Sequence, residues 1–222
     1  MKRFSGKRLP FKILYEDKYV IVIDKPQGLL STHTHYGTRR EQQFQVTAEN
    51  ILTDYLRKGQ AKSRLQAWLV HRLDKDTSGV MMFAKSKETA DYFRANWSEL
   101  TQKTYHATVD GVMEEDAGLF KSNLAEDADG YKVRSVDQGG KLALTRWKVL
   151  SRQRNSTNVE VILETGRKNQ IRVHFSEAGH PVSGDEKYGS KKRIPLALRS
   201  VQLQFILPNG HKVNIDTREG EK

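Results

Sequence analysis

Apolar residues along this chain gather in short runs separated by charged turns. Tyr19-Val20-Ile21-Val22-Ile23 and Val80-Met81-Met82-Phe83-Ala84 are continuous runs bounded by turn chemistry, which predicts buried strands. Phe11-Lys12-Ile13-Leu14-Tyr15 leads into the first through a Glu16-Asp17 turn, and Asp24-Lys25-Pro26-Gln27-Gly28 ends it, since proline cannot continue a ladder and glycine accepts the turn. Trp68-Leu69-Val70 reads as a strand before the second run, across the polar stretch His71 to Gly79. Thr47 is placed to cap a helix with Ile51, Leu52, Tyr55 and Leu56 on one face, closing at Gly59. Ser86 caps another, in which Ala90, Phe93, Trp97 and Leu100 recur at helical spacing and read as core rather than as a base-stacking platform.

Beyond Leu100 the period shortens towards two. Gln102 to Asp110 predicts a strand turning at Gly111, and Leu119 to Leu150 predicts three short strands with breaks at 127–130 and 138–140. Asn158 to Thr165 alternates through Val159, Val161 and Leu163, whereas Lys168 to Ala178 has a helical pattern that stops at Gly179. Leu198 to Leu207 puts Val201, Leu203 and Phe205 on one face, and Pro208-Asn209-Gly210 turns it into His211 to Asp216. Many antiparallel strands with few helices predict an α+β fold rather than a doubly wound α/β one. With no repeat and no long linker, residues 1–222 are expected to form one domain with its core over about 11–216.

Composition narrows the function. The absence of cysteine excludes disulfides and thiolate metal sites. No run approaches the roughly 18 apolar residues of a membrane span, and the basic segment Met1 to Arg8 has no signal-like apolar core, so a cytoplasmic protein is expected. Asn96-Trp97-Ser98 and Asn155-Ser156-Thr157 match glycosylation sequons that carry no weight without secretion. Lys and Arg number 38 against 27 acidic residues, a net charge of +11 that points to a polyanionic partner, of which nucleic acid is the usual one. Ser31 to Gln45 is polar and holds His33, His35, Arg39 and Arg40. His33-Thr34-His35 could form a metal pair, but with no carboxylate or third imidazole nearby a loop that meets RNA is the better reading.

Candidate chemistry concentrates in His71-Arg72-Leu73-Asp74-Lys75-Asp76-Thr77-Ser78-Gly79. A loop between two rigid strands can present carboxylate, guanidinium and imidazole groups accurately, although by itself it reads first as a polar hairpin loop. Asp74-Lys75-Asp76 could hold Mg²⁺, yet no further carboxylates converge on it in sequence. A glycosidase would need one of two carboxylates as an acid, a role open to Asp76. Gly184 to Lys191 has the wrong Gly-Lys-Ser/Thr order for a phosphate loop.

The string His71-Arg72-Leu73-Asp74, Thr77-Ser78-Gly79 and the apolar strand after it resembles motif II of the RluA-type pseudouridine synthases. Gly166-Arg167-Lys168-Asn169-Gln170-Ile171-Arg172-Val173-His174 resembles the same family's G-R-x-x-Q-[IL]-R-V-H, followed as in that family by Gly179-His180-Pro181 and Gly184-Asp185. Lys103-Thr104-Tyr105-His106-Ala107 fits its K-x-Y-x-A strand, and Lys25, Pro26 and Gly28 fit its K-P-x-G. Many relatives have T-H where this chain has Lys168-Asn169, a departure that leaves Arg172 in register. The motifs span nearly the whole chain in the family's order.

The resemblance implies the pseudouridine-synthase catalytic fold, a long, bent, mostly antiparallel mixed sheet with flanking helices and an RNA cleft. With about ten residues before the first strand, a form without the S4-like RNA-binding domain is expected. It implies an enzyme that isomerises uridine in ribosomal or transfer RNA, a rearrangement in which no atom is gained and no electron moves, so that no cofactor or metal is expected; a monomer is expected as well. Asp74 would be the catalytic carboxylate, attacking C1′ or removing the C2′ proton, and both routes stay open. Arg172 would be its guanidinium partner, keeping it charged and directed. Tyr105 would stack on the flipped base and help remove the C5 proton. Arg72, Arg167, Lys168 and Gln170 would meet RNA, with Arg167 and Lys168 at a helix start that is unfavourable for cations unless an anion binds. The alternative is a catalytically silent RNA-binding module on the same fold.

Overall fold

The computed structural model describes residues 9–34, 45–60 and 62–218. In chain order the elements are β1 (Lys12–Glu16), β2 (Val20–Lys25), α1 (Ala48–Arg57), β3 (Trp68–Leu69), β4 (Ser78–Ala84), α2 (Lys87–Ala95), α3 (Trp97–Leu100) and β5 (Thr101–Asp110). Then follow β6 (Ala117–Glu126), β7 (Val133–Val136), β8 (Lys141–Gln153), β9 (Ser156–Leu163), α4 (Gln170–Glu177), a 3-10 turn (Glu186–Tyr188), β10 (Leu198–Ile206) and β11 (Lys212–Asp216). This is an α+β fold, as the pattern of periods predicts. The chain divides into two compact units, one of residues 1–101 with 203–222 and one of residues 102–202.

In the first unit β2 lies between β1 and β4, antiparallel to both, and β3 pairs with β4. Val20 to Ile23 and Val80 to Ala84 are fully buried, which is why both runs are apolar at every position instead of alternating. Val20, Val22, Val80 and Met82 pack with Phe93 of α2 and with Leu203, Phe205 and Val213. Each such side chain contributes about 1.5–3 kcal/mol by leaving water. Thr47 and Ser86 cap α1 and α2 as expected, accepting from Asn50 N and Thr89 N.

Four expectations shift. Lys25 belongs to β2 and is fully buried, not part of the turn beyond it, because its ammonium finds carbonyl partners indoors. Tyr55 lies 39% exposed, off the apolar face, with its hydroxyl on Glu16. The helix after Ser86 breaks at Asn96 into α2 and α3, although Trp97 and Leu100 still pack on the core. Trp68-Leu69-Val70 supplies only a two-residue, half-buried strand.

In the second unit the order is β5-β9-β8-β6-β7, with antiparallel pairs throughout. The region expected as three short strands holds three, but β6 and β8 run for 10 and 13 residues. Gly118 is required there by close approach, since a Cβ would lie 2.7 Å from the Trp147 ring, which stacks on Phe120. The helix expected over Lys168 to Ala178 begins at Gln170, after Asn169 turns the chain through a left-handed conformation.

Candidate active site

Asp74 sits in the first unit on the loop joining β3 to β4, and the chain on either side of it is anchored. Leu73 is buried, its N–H donating to Ser31 Oγ (3.2 Å) while its carbonyl accepts from the same hydroxyl (2.7 Å). Thr77 N donates to Asp74 O (3.1 Å) and closes the turn, and Thr77 is buried. Lys75 O accepts from Gly28 N (3.0 Å) and from Lys25 Nζ (3.0 Å). His71 Nε2 accepts from Met82 N (2.9 Å), and its ring lies against Trp97 with centroids 4.7 Å apart. Asp74 itself is half-buried and Arg72, Lys75 and Asp76 are exposed, on a loop whose apolar and backbone groups are anchored.

Lys25 is the key to that anchoring. Its ammonium also donates to Leu29 O (2.8 Å) and Pro26 O (3.0 Å). Burial pulls its pKa from 10.5 down to about 8, while the negative charges of Asp76 and Asp74 hold it up, so it is cationic at neutral pH. The K-P-x-G match pointed to Lys25, but a charged residue beside a proline gave no sign of burial.

Tyr105 and Arg172 belong to the second unit. Tyr105 is buried in β5 opposite Val161 of β9. Lys103, two residues earlier on the same strand face, is also buried, and burial lowers its pKa to about 8. Arg172 projects from α4 and grips Asp185 with two nitrogens, Nε to Oδ2 at 2.6 Å and Nη2 to Oδ1 at 2.7 Å.

Gln170 is 2% exposed. Its carbonyl oxygen accepts from Thr165 Oγ1 and Arg167 N, and its amide donates to Leu144 O and Thr145 Oγ1. Arg167 Nε donates to Leu142 O (3.0 Å), and Lys168 pairs with Glu126 (2.5 Å) and donates to Gly130 O (2.7 Å). Both cations directly precede the N-cap of α4, near its positive end, where Glu126 offsets the charge of Lys168. His33 contacts Asn50 Nδ2 through Nε2 (2.8 Å), whereas His35, Arg39 and Arg40 lie outside the described residues. Among the described residues no group of three or more His, Asp or Glu could hold a metal ion.

His174, read from sequence only as a motif letter, is buried between β8 and β6, with Nδ1 2.8 Å from Thr145 Oγ1 and Nε2 3.0 Å from Ser122 Oγ. Burial lowers its pKa below the ordinary 6.5, against a smaller upward pull from Glu177. The folded protein therefore keeps it neutral while the unfolded chain takes up a proton below about pH 6.5. Stability from this residue should be present above that pH and drain away as the pH falls through the folded value. Denaturant titrations at about pH 7.5 and 5 should show a smaller acid loss in His174→Gln than in the parent. An identical acid loss would remove His174 as a source of acid sensitivity.

A family model described as RNA pseudouridylate synthase matches residues 19–177. The chain is 34% identical over 205 residues to the dual-specificity RNA pseudouridine synthase RluA of Vibrio cholerae, covering 90% of this chain and 78% of that protein. It is 37% identical over 221 residues to the ribosomal large subunit pseudouridine synthase D of Nitrosomonas europaea, covering 94% of this chain but 62% of the relative. Among solved structures, human RNA pseudouridylate synthase domain containing 4 matches with a TM-score of 0.69 and 30% identity, over 92% of this chain and 87% of that one. Human RNA pseudouridylate synthase domain containing 1 shares the fold, with a TM-score of 0.71 at 22% identity over 93% and 82% of the two chains. The matched span covers well over half the sequence and includes the Asp74 loop, so the chain belongs to the RNA pseudouridylate synthase family, the enzymes that isomerise uridine in RNA.

Proposed function

We propose that this chain converts a specific uridine of ribosomal or transfer RNA to pseudouridine, with Asp74 acting on the ribose. The observation that carries the reading is the Asp74 loop itself, a carboxylate on a segment locked by Ser31, Lys25 and Thr77 within a matched family motif. The reaction breaks N1–C1′, turns the base, joins C5 to C1′ and moves the C5 proton away as N1 gains one. Nothing is gained or lost overall, so neither a cofactor nor a metal enters. Asp74 attacks C1′ as a nucleophile or removes the C2′ proton, and both routes need it ionised. Arg172 supplies the cation that favours that state, and Tyr105 stacks on the flipped base and assists loss of the C5 proton.

Arg72, Arg167 and Lys168 are assigned to the RNA. Gln170 joins them indirectly, since its buried carboxamide holds the Arg167 backbone. Residues 1–222 act as one catalytic domain, monomeric and cytoplasmic where RNA is found. No helix of the described residues is long and apolar enough to cross a membrane. The test is pseudouridine mapping of total RNA from cells with the gene, without it, and with only Asp74→Asn. A uridine modified only by the intact gene would support the reading and identify the substrate. Loss of no site, joined to inactivity of the purified protein on unmodified transcripts, would leave the silent RNA-binding module in its place.

A further inference from the structure

We infer that Asp185 is a positioning residue for Arg172, fixing the plane and reach of its guanidinium; the inference rests on the role proposed for Arg172 above. The Asp185 side chain is wholly buried and that of Arg172 is 11% exposed. Two parallel N–H···O bonds define the guanidinium plane as a single bond cannot. The Tyr188 ring covers the same group, with Cζ 5.1 Å from its centroid.

Asp185 is in turn held by its own segment. It caps the 3-10 turn, with Oδ1 accepting from Tyr188 N (3.2 Å), while its backbone N–H donates to Val182 O and its carbonyl accepts from Ser190 N, both at 3.0 Å. Ser183 and Ser190 donate to the two carboxylate oxygens of Asp110 at 2.5 and 2.7 Å, and Lys192 pairs with it at 2.8 Å. Gly184 has φ +80°, and a Cβ there would lie 2.4 Å from Ile194 O, so the chain next to Asp185 fits only as glycine. Asp110 of β5 thus ties down both sides of the segment that carries Asp185. A buried ion pair is a weak source of stability because desolvation offsets its attraction. What this one supplies is direction.

The test compares single-turnover pseudouridine formation on an unmodified transcript, RNA affinity and thermal midpoint for the parent and D185N. Asparagine retains an oxygen for Tyr188 N but gives up the charge and the second acceptor. The expected result is a rate about 10²-fold lower, as for a small misplacement of a reacting group. RNA affinity should stay within about threefold, and introducing D185N into R172K should cost less than about threefold more. A parental rate in D185N, a loss of RNA affinity, or an equal rate loss in both backgrounds would overturn the inference, the last by assigning Asp185 to loop folding alone. Should D185N not fold, R172K carries the test, since lysine keeps the charge without the fork. It should lose about 10²-fold in rate at parental stability, and a parental rate would overturn the inference. The parent is assayed first, and its inactivity would instead remove the proposed function on which the inference stands.

Discussion

Asp74→Asn should lower single-turnover pseudouridine formation by at least about 10⁴-fold, the scale seen when a nucleophile or its base is removed from an active site. Asparagine has the same shape but can neither attack C1′ nor accept the C2′ proton. The loop should survive, because the Leu73 and Lys75 backbones are held by Ser31 and Lys25 and Thr77 N closes the turn on Asp74 O. Stability should therefore move by less than about 1 kcal/mol, and RNA affinity by less than about threefold. Proton release from C5-tritiated uridine in RNA reads the rate directly, and filter binding reads the affinity. A variant with more than a few per cent of the parental rate would dismiss Asp74 as the catalytic carboxylate.

Lys25→Met should cost about 3–5 kcal/mol, the range found when one partner of a buried charged arrangement is removed. Methionine fills much of the volume but leaves the carbonyls of Pro26, Leu29 and Lys75 without their ammonium donor. For a chain of this size the thermal midpoint should fall by about 10 °C. Lys25→Arg should not restore it, because a planar fork cannot address three carbonyls arranged around one nitrogen. A Lys25→Met protein that melts within about 2 °C of the parent would show that those carbonyls find other partners.

How far the sequence could be read varies from element to element, and the reasons are physical. Val20 to Ile23 and Val80 to Ala84 were legible as buried strands because burial on both faces demands apolar residues at every position. Thr47 and Ser86 were legible as caps because the hydroxyl acts on a donor three residues away. Lengths and interruptions were less so. The helix breaks at Asn96, and β6 and β8 run on past the expected short strands, with Gly118 close beneath Trp147. Tyr55 suited an apolar face by spacing, but a hydroxyl partner on Glu16 keeps it at the surface.

The candidate site divides in the same way. Asp74, Tyr105 and Arg172 stand in motifs readable letter by letter, and the charge balance of +11 already indicated a polyanionic partner. By itself, then, the sequence determined the fold class, the family and the residues to suspect, because local periodicity, capping and motif spacing are properties of neighbouring positions. Only the tertiary structure decided what holds those residues. Lys25 reaches Lys75 across fifty positions, Asp185 meets Arg172 from a separate segment, and Gln170 and His174 turn inward to Thr145. Such partners lie far apart along the chain and meet only once burial makes an unpaired charge or amide too costly to leave alone.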